Sequence, residues 1–172
     1  MLGSSLTRNN YHMTSIRKFA FLCFLLLCAA APISHEPITG PARIIDGDTL
    51  QIAQTRIRLF AIDAPETKQS CRDDRGAVYA CGERASAELR RHVGDARVTC
   101  EPINLDQYGR TVARCYADGE DLNRWMVATG WAVAYRQFSR DYVPAEEQAH
   151  AQRLGMWRGE FMLPSLWRRE RR

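Results

Sequence analysis

The sequence predicts an α+β domain built on a small closed sheet, with an export signal in front of it. Three observations carry this. Strand signals rich in β-branched residues recur along the chain, and helical segments interleave with them without a regular βαβ rhythm. The 172 residues, 45 % of them hydrophobic, suit one domain with a short appendage. No internal repeat and no second core are visible.

The longest apolar run, Phe19 to Ala31, falls short of the roughly 18 residues that a membrane span needs. It follows Arg17 and Lys18, is apolar on every face, and closes on Ala29, Ala30 and Ala31. That is the pattern of a secretory signal peptide over residues 1–31, and Leu27 before Cys28 argues against lipid attachment. A secreted or periplasmic location is expected, with no stable membrane span once the signal is removed. Removal takes Arg8, Arg17 and Lys18 with it, so the formal net charge falls from +4 to +1. Lys68 is then the only lysine left. The other cations are arginines, whose planar fork of donors suits phosphate.

Residues 32–40, with Pro32 and Pro37, read as an extended lead-in to a domain spanning 41–160. Arg43–Ile45, Thr49–Ile52 and Thr55–Ile62 read as strands, joined by a tight Asp46-Gly47-Asp48 turn and a short Ala53-Gln54 connection. Asp63-Ala64-Pro65-Glu66 ends the run, because proline cannot continue a ladder. A polar loop over 67–82 follows. Ala85, Leu89 and Val93 fall at helical spacing within Glu83–Val93, and Gly94 stops that helix. Arg97–Ile103 and Arg110–Tyr116 are strands about a turn at Asp106–Gly109. Asp121 caps a second helix ended by Gly130, Trp131–Tyr135 is short and apolar, and a third helix runs from Pro144 towards Gly155. The tail, 161–172, is basic and expected to be loose.

Four cysteines remain after the signal: Cys71, Cys81, Cys100 and Cys115. An even number in an exported chain points to two disulfides, for which three pairings exist. Loop closure favours Cys71–Cys81, and symmetry about the turn near Tyr108 favours Cys100–Cys115. A four-thiolate zinc site is disfavoured, since no C-x-x-C spacing occurs.

Histidine chemistry is disfavoured too. His92 and His150 sit inside helical patterns, and there is no H-E-x-x-H segment or glycine-rich phosphate loop. The chain offers instead acids and arginines at strand ends. Asp46 and Asp48 share one turn, and Asp63 and Glu66 flank Pro65. Each pair taken alone reads as ordinary turn chemistry. If their strands pair, the four carboxylates converge, and converging carboxylates call for a hard cation such as calcium. Arg58 projects opposite to Ile57 and Leu59, and Arg110 heads another strand. A metal, a spare carboxylate and two guanidinium forks are the parts that phosphodiester hydrolysis requires.

Ile45-Asp46-Gly47-Asp48-Thr49, Arg58 through Thr67, and Asp106-Gln107-Tyr108-Gly109-Arg110 occur in that order, with Asn123–Tyr135 and Leu154–Trp157 fitting as well. From about Pro41 to Trp157 the chain resembles the staphylococcal nuclease (thermonuclease-like) family. The resemblance implies an OB-fold, a five-stranded β-barrel with three helices, and calcium-dependent cleavage of DNA and RNA leaving 3′-phosphates. It implies calcium on Asp48, Asp63 and the Ala64 carbonyl, with Asp46 and Glu66 nearby through water. Glu66 would be the general base, Arg58 and Arg110 would hold the scissile phosphate, and Tyr108 and Tyr135 would contact the nucleotide. Nucleic acid is then the expected partner, and a monomer the expected state. Three departures stand out: Ala64 for a frequent threonine, Gln107 where a lysine can assist phosphate binding, and Cys71, Asp73, Asp74 and Cys81 in a loop that is lysine-rich in the family's best-known member. The alternative reading is an OB-fold module that binds nucleic acid without cleaving it.

Overall fold

The computed structural model describes residues 36–171; the signal-peptide reading of residues 1–31 lies outside the described residues. In chain order the elements begin with β1 (Ile38–Ile44), β2 (Thr49–Ile52), β3 (Thr55–Leu59) and β4 (Ile62–Asp63). A small hairpin of β5 (Cys71–Arg72) and β6 (Val78–Tyr79) leads into α1 (Cys81–Val93). Then come β7 (Arg97–Leu105), β8 (Thr111–Ala117), β9 (Glu120–Asp121), α2 (Leu122–Ala128), β10 (Val133–Ala134) and α3 (Val143–Ala151). A 3₁₀ turn (Gly155–Arg158) and α4 (Pro164–Glu170) complete the chain.

The main sheet runs β3-β2-β1-β7-β8-β9, and parallel pairing of β3 with β8 closes it into a five-stranded barrel. Every other neighbouring pair in the barrel is antiparallel. This is the OB-fold topology expected above. Alternation fills the interior: Leu50, Ile57, Leu59, Val98, Ala113 and Cys115 are at most 1 % exposed. Leu89 of α1 and Leu122, Met126 and Val127 of α2 cap the barrel with fully buried side chains.

Gly94 and Asp121 act where the sequence placed them. Gly94 follows α1 at a positive φ, and the Asp121 side chain accepts a hydrogen bond from the Arg124 N–H. Both disulfides pair as loop closure and symmetry favoured, Cys71–Cys81 and Cys100–Cys115, the latter joining directly opposed residues of β7 and β8.

Four expectations need correction. β1 begins at Ile38, inside the stretch read as a lead-in, because Ile38–Pro41 pair with Arg97–Cys100 of β7. The run Thr55–Ile62 is not one strand but breaks at Phe60 and Ala61, with Ala61 at φ 56°. α3 stops at Ala151, and Arg153 at φ 53° turns the chain into the 3₁₀ segment. The tail is a fourth helix. Residues before it are sewn onto the disulfide-closed loop, since Arg72 and Glu160 exchange backbone hydrogen bonds of 2.9 and 3.0 Å and the buried Gln69 amide donates to the Met162 carbonyl at 2.7 Å.

The break at Ala61 matters for everything downstream. A left-handed alanine costs roughly 1–2 kcal/mol, so the bend must be held from outside. The fully buried Asn123 does this: its Nδ2 donates to the carbonyls of Phe60 (2.9 Å) and Ala113 (3.3 Å), while its Oδ1 accepts from the Cys115 N–H (3.0 Å). The Tyr135 N–H closes on the Ala61 carbonyl at 2.8 Å. Asn123→Ala leaves three buried backbone groups without this partner and should lower unfolding stability by about 2–4 kcal/mol in chemical denaturation. A loss under about 0.5 kcal/mol would mean the bend holds itself.

Candidate active site

Two glycines let the acidic turns approach each other. A Cβ on Gly47 would lie 2.7 Å from the Ala64 Cβ and 3.1 Å from the Ala85 Cβ. A Cβ on Gly82 would lie 1.8 Å from the Glu66 carbonyl oxygen. Only the missing side chains allow the β1–β2 turn and the start of α1 to pack against the Asp63–Glu66 segment. The turn itself is an Asx turn, in which the Asp46 carboxylate accepts from the Asp48 N–H at 3.1 Å. β4, bent away from the barrel at Ala61, is held by pairing with β10. β10 in turn hangs on α3: the buried Glu146 carboxylate accepts from the Ala134 N–H (2.6 Å) and from Arg136 (2.9 Å), fixing Tyr135 between them.

Arg58 is the junction. One Nη donates to Asp48 at 2.8 Å and the other to Asp63 at 3.3 Å. The two aspartates are 5 % and 1 % exposed. Asp48 also accepts from the Ala64 N–H at 3.1 Å, so both turns are tied through one carboxylate. Burial disfavours charge on these acids. It raises the Asp63 pKa, with hydrogen bonds from Arg168 opposing it, and pushes Asp46 up to about 6 with help from the neighbouring Asp48 charge. Burial also works against the Arg58 charge, but Asp48 and Asp63 outweigh it and raise its pKa.

Arg110 sits across the cleft at the start of β8. Its Nε donates to Asp106 at 2.7 Å, and its guanidinium lies 5.5 Å from the Tyr108 ring centroid. The other Asp106 oxygen accepts from the backbone N–H groups of Tyr108 and Arg110 at 2.9 Å each, so one carboxylate shapes the turn and aims the arginine. These bonds outweigh burial and hold Asp106 below the usual aspartate range. Arg58, Arg110, Asp46, Asp48, Ala64, Glu66, Tyr108 and Tyr135 all line one cleft of about 960 Å³. Asp63 lies behind it, joined through Arg58. The sequence reading therefore put its candidates on one surface. His92, stacked on Trp125 at 3.8 Å, and His150, against Trp157, line no part of this cleft.

The sequence reading missed Arg168 and Phe138, which both line the cleft. Arg168, assigned to a loose tail, donates two hydrogen bonds to Asp63 (2.8 and 3.0 Å) and one to Glu66 (2.7 Å). Nothing in the tail's composition distinguishes Arg168 from Arg169 or Arg171; only the anchoring of residues 160–162 and the phase of α4 select it. Phe138 joins the cleft for a similar reason, through its edge contact with Tyr135 at 5.0 Å.

Residues 56–159 match the family described as Staphylococcal nuclease homologue. The chain belongs to the staphylococcal nuclease family. Three relatives give the range of likeness. The succinoglycan biosynthesis protein ExoI of Rhizobium meliloti (strain 1021) is 42 % identical over 128 residues, covering 73 % of this chain and 67 % of that protein. An uncharacterized endonuclease of Haemophilus influenzae is 35 % identical over 136 residues, covering 74 % and 71 %. The micrococcal nuclease of Shigella flexneri is 34 % identical over 145 residues, covering 74 % and 78 %. The cleft is thus that of a nuclease-family protein on the family's OB-fold barrel.

The donor set suits a hard cation. Asp48, Asp63 and the Ala64 carbonyl offer oxygen alone, on buried carboxylates whose negative charge demands a partner. Among the described residues, however, no group of three acidic, histidine or cysteine side chains is gathered as a metal cage. Guanidinium groups, from Arg58 and Arg168, balance the two aspartates instead.

Asp106→Asn keeps a turn acceptor but removes the ionic partner of Arg110. It should cost about 1 kcal/mol near neutral pH, a modest value because the pair is only partly buried. A carboxylate with a lowered folded-state pKa contributes its full stability above its ordinary value of 3.8 and loses it below. The difference in melting temperature between Asp106→Asn and the parent should therefore close as pH falls below about 3.8. A gap independent of pH would assign the effect to the turn rather than to the charge.

Proposed function

We propose that this chain is an exported, calcium-dependent phosphodiesterase that hydrolyses DNA, RNA or both, leaving 3′-phosphates. One observation carries the reading. Two guanidinium groups, an exposed-edge glutamate and the buried Asp48 share a single cleft, with Asp63 joined from behind through Arg58 and two tyrosines lining the same cleft. The family supports hydrolysis over mere binding, and the two disulfides accord with an oxidising compartment. Among the described residues no helix is long and apolar enough to cross a membrane.

Asp48, Asp63 and the Ala64 carbonyl would hold the calcium ion, with Asp46 and Glu66 reaching it through water. When bound, calcium draws charge from a phosphate oxygen as a Lewis acid. The Arg58 fork, already fixed by two buried carboxylates, donates to the scissile phosphate without having to be ordered first. Arg110, aimed by Asp106, donates from the opposite wall and shares the negative charge that builds on phosphorus-bound oxygen. Glu66, 37 % exposed at its side chain, accepts a proton from the attacking water. Tyr108, 68 % exposed, and Tyr135 offer faces and hydroxyls to the nucleotide. Gln107 lines the cleft and supplies no charge to it. Affinity then rests more heavily on the arginines.

Cleavage of single-stranded and duplex DNA by the purified mature chain should require calcium and stop with EDTA. Glu66→Gln should reduce the rate by ~10²–10⁴-fold, with Arg58→Ala and Arg110→Ala comparable. Full activity of Glu66→Gln would remove that residue from the mechanism. Calcium-independent binding with intact substrate would instead favour a non-catalytic OB-fold module.

A further inference from the structure

The C-terminal helix has no part in the catalysis proposed above, yet it delivers a guanidinium to the very carboxylates that calcium and water would use. Arg168 spans both oxygens of Asp63 and reaches Oε1 of Glu66 with the same nitrogen that bonds Asp63 Oδ1. Asp63 is 1 % exposed at its side chain, so its oxygens face only the two arginines that reach them. The contact does not come from a dangling end. The chain before it is anchored three times: by the Arg72–Glu160 bridge, by the Gln69 amide on the Met162 carbonyl, and by burial of Pro164. The loop providing those anchors is closed by Cys71–Cys81. From Pro164, α4 runs free of such ties to Arg168.

We propose that Arg168 is a built-in competitor for the calcium seat, a latch that α4 swings into place when the ion is absent and withdraws when it binds. The proposal rests on the calcium reading of Asp48 and Asp63. Arg168 bonds both oxygens of Asp63 and Arg58 bonds Oδ1 as well, so a metal ion there must compete with two guanidinium groups, and like charges a few ångströms apart repel. The same contact occupies Glu66, whose Oε1 accepts from Arg168 at 2.7 Å where a water would otherwise sit. Arg168 therefore holds the metal ligand and the general base together. One displacement frees both. Calcium affinity is reduced by the fraction of molecules in which the latch is open, so removing the latch raises apparent affinity without altering any metal ligand.

The test is calorimetric titration of calcium chloride into the oxidised mature chain and into Arg168→Ala, Arg168→Gln and Arg169→Ala. Arg169→Ala makes the same change in net charge at an exposed neighbour. Arg168→Ala and Arg168→Gln should bind calcium at least ~10-fold more tightly than the parent, with Arg169→Ala within about twofold of it. Amide hydrogen exchange over residues 164–170 should quicken when calcium is added to the parent. Equal or weaker calcium binding by both Arg168 variants, or exchange in α4 indifferent to calcium, overturns the latch and leaves the calcium reading standing. If neither parent nor variants bind calcium, the calcium reading falls and the latch falls with it.

Discussion

Two carboxylates sealed from water must be matched by positive charge, and the molecule is organised around that demand. Asp48 and Asp63 lie on different turns, both nearly inaccessible, and both spend an oxygen on Arg58. Isolated buried charges of this kind are intolerable, so the two turns can come together only with a cation between them. The requirement reaches outward. It needs Gly47 and Gly82 for the close approach, the bend at Ala61 to re-aim β4, and Asn123 to hold that bend. None of these residues touches the cleft chemistry. Each keeps the acids where a cation is obligatory.

The barrel and the appended segments divide the work differently. The closed sheet brings Arg58 of β3 near Arg110, the residue before β8, because β3 and β8 pair in parallel with Arg58 opposite Val112. β8 is in turn cross-linked to β7 through Cys100–Cys115. The segments outside the barrel place Glu66, Tyr135 and Arg168, and they are tied on by hydrogen bonds from distant residues: Glu146 under β10, Gln69 and Arg72 under the C-terminal strap. Arg58 and Arg110 are thus set by the closed sheet, while Glu66 and Arg168 stand on segments tied onto it.

The charge distribution also becomes intelligible. A formal net charge of +4 is small for a member of a nuclease family, and the loop carrying Asp73 and Asp74 works against attraction of a polyanion. The Asp73 carboxylate, however, is consumed locally, accepting from the N–H groups of Arg75 and Ala77. Arg56, Arg58, Arg110 and Arg168 gather in the cleft, where Asp46, Asp48, Glu66 and Asp106 match them in number.

Much of this was legible in the sequence, for identifiable reasons. Strand alternation fixed which of Ile57, Arg58 and Leu59 face the core, since neighbouring side chains of a strand must point to opposite sides. Gly94 and Asp121 ended and capped helices because their local chemistry acts within a few residues. The short motifs around Asp46–Thr49, Arg58–Glu66 and Asp106–Arg110 marked the cleft and the family. The break at Ala61, the role of Asn123 and the seat of Arg168 were not legible. A left-handed alanine carries no composition signal, and its cost is met by an amide 62 positions away. A basic tail looks solvated until its anchors are known, and those anchors are backbone and amide hydrogen bonds to a loop nearly a hundred residues earlier in the chain. Local interactions are written in neighbouring residues; the pairing of buried charges across the fold is decided only when the chain has closed around them.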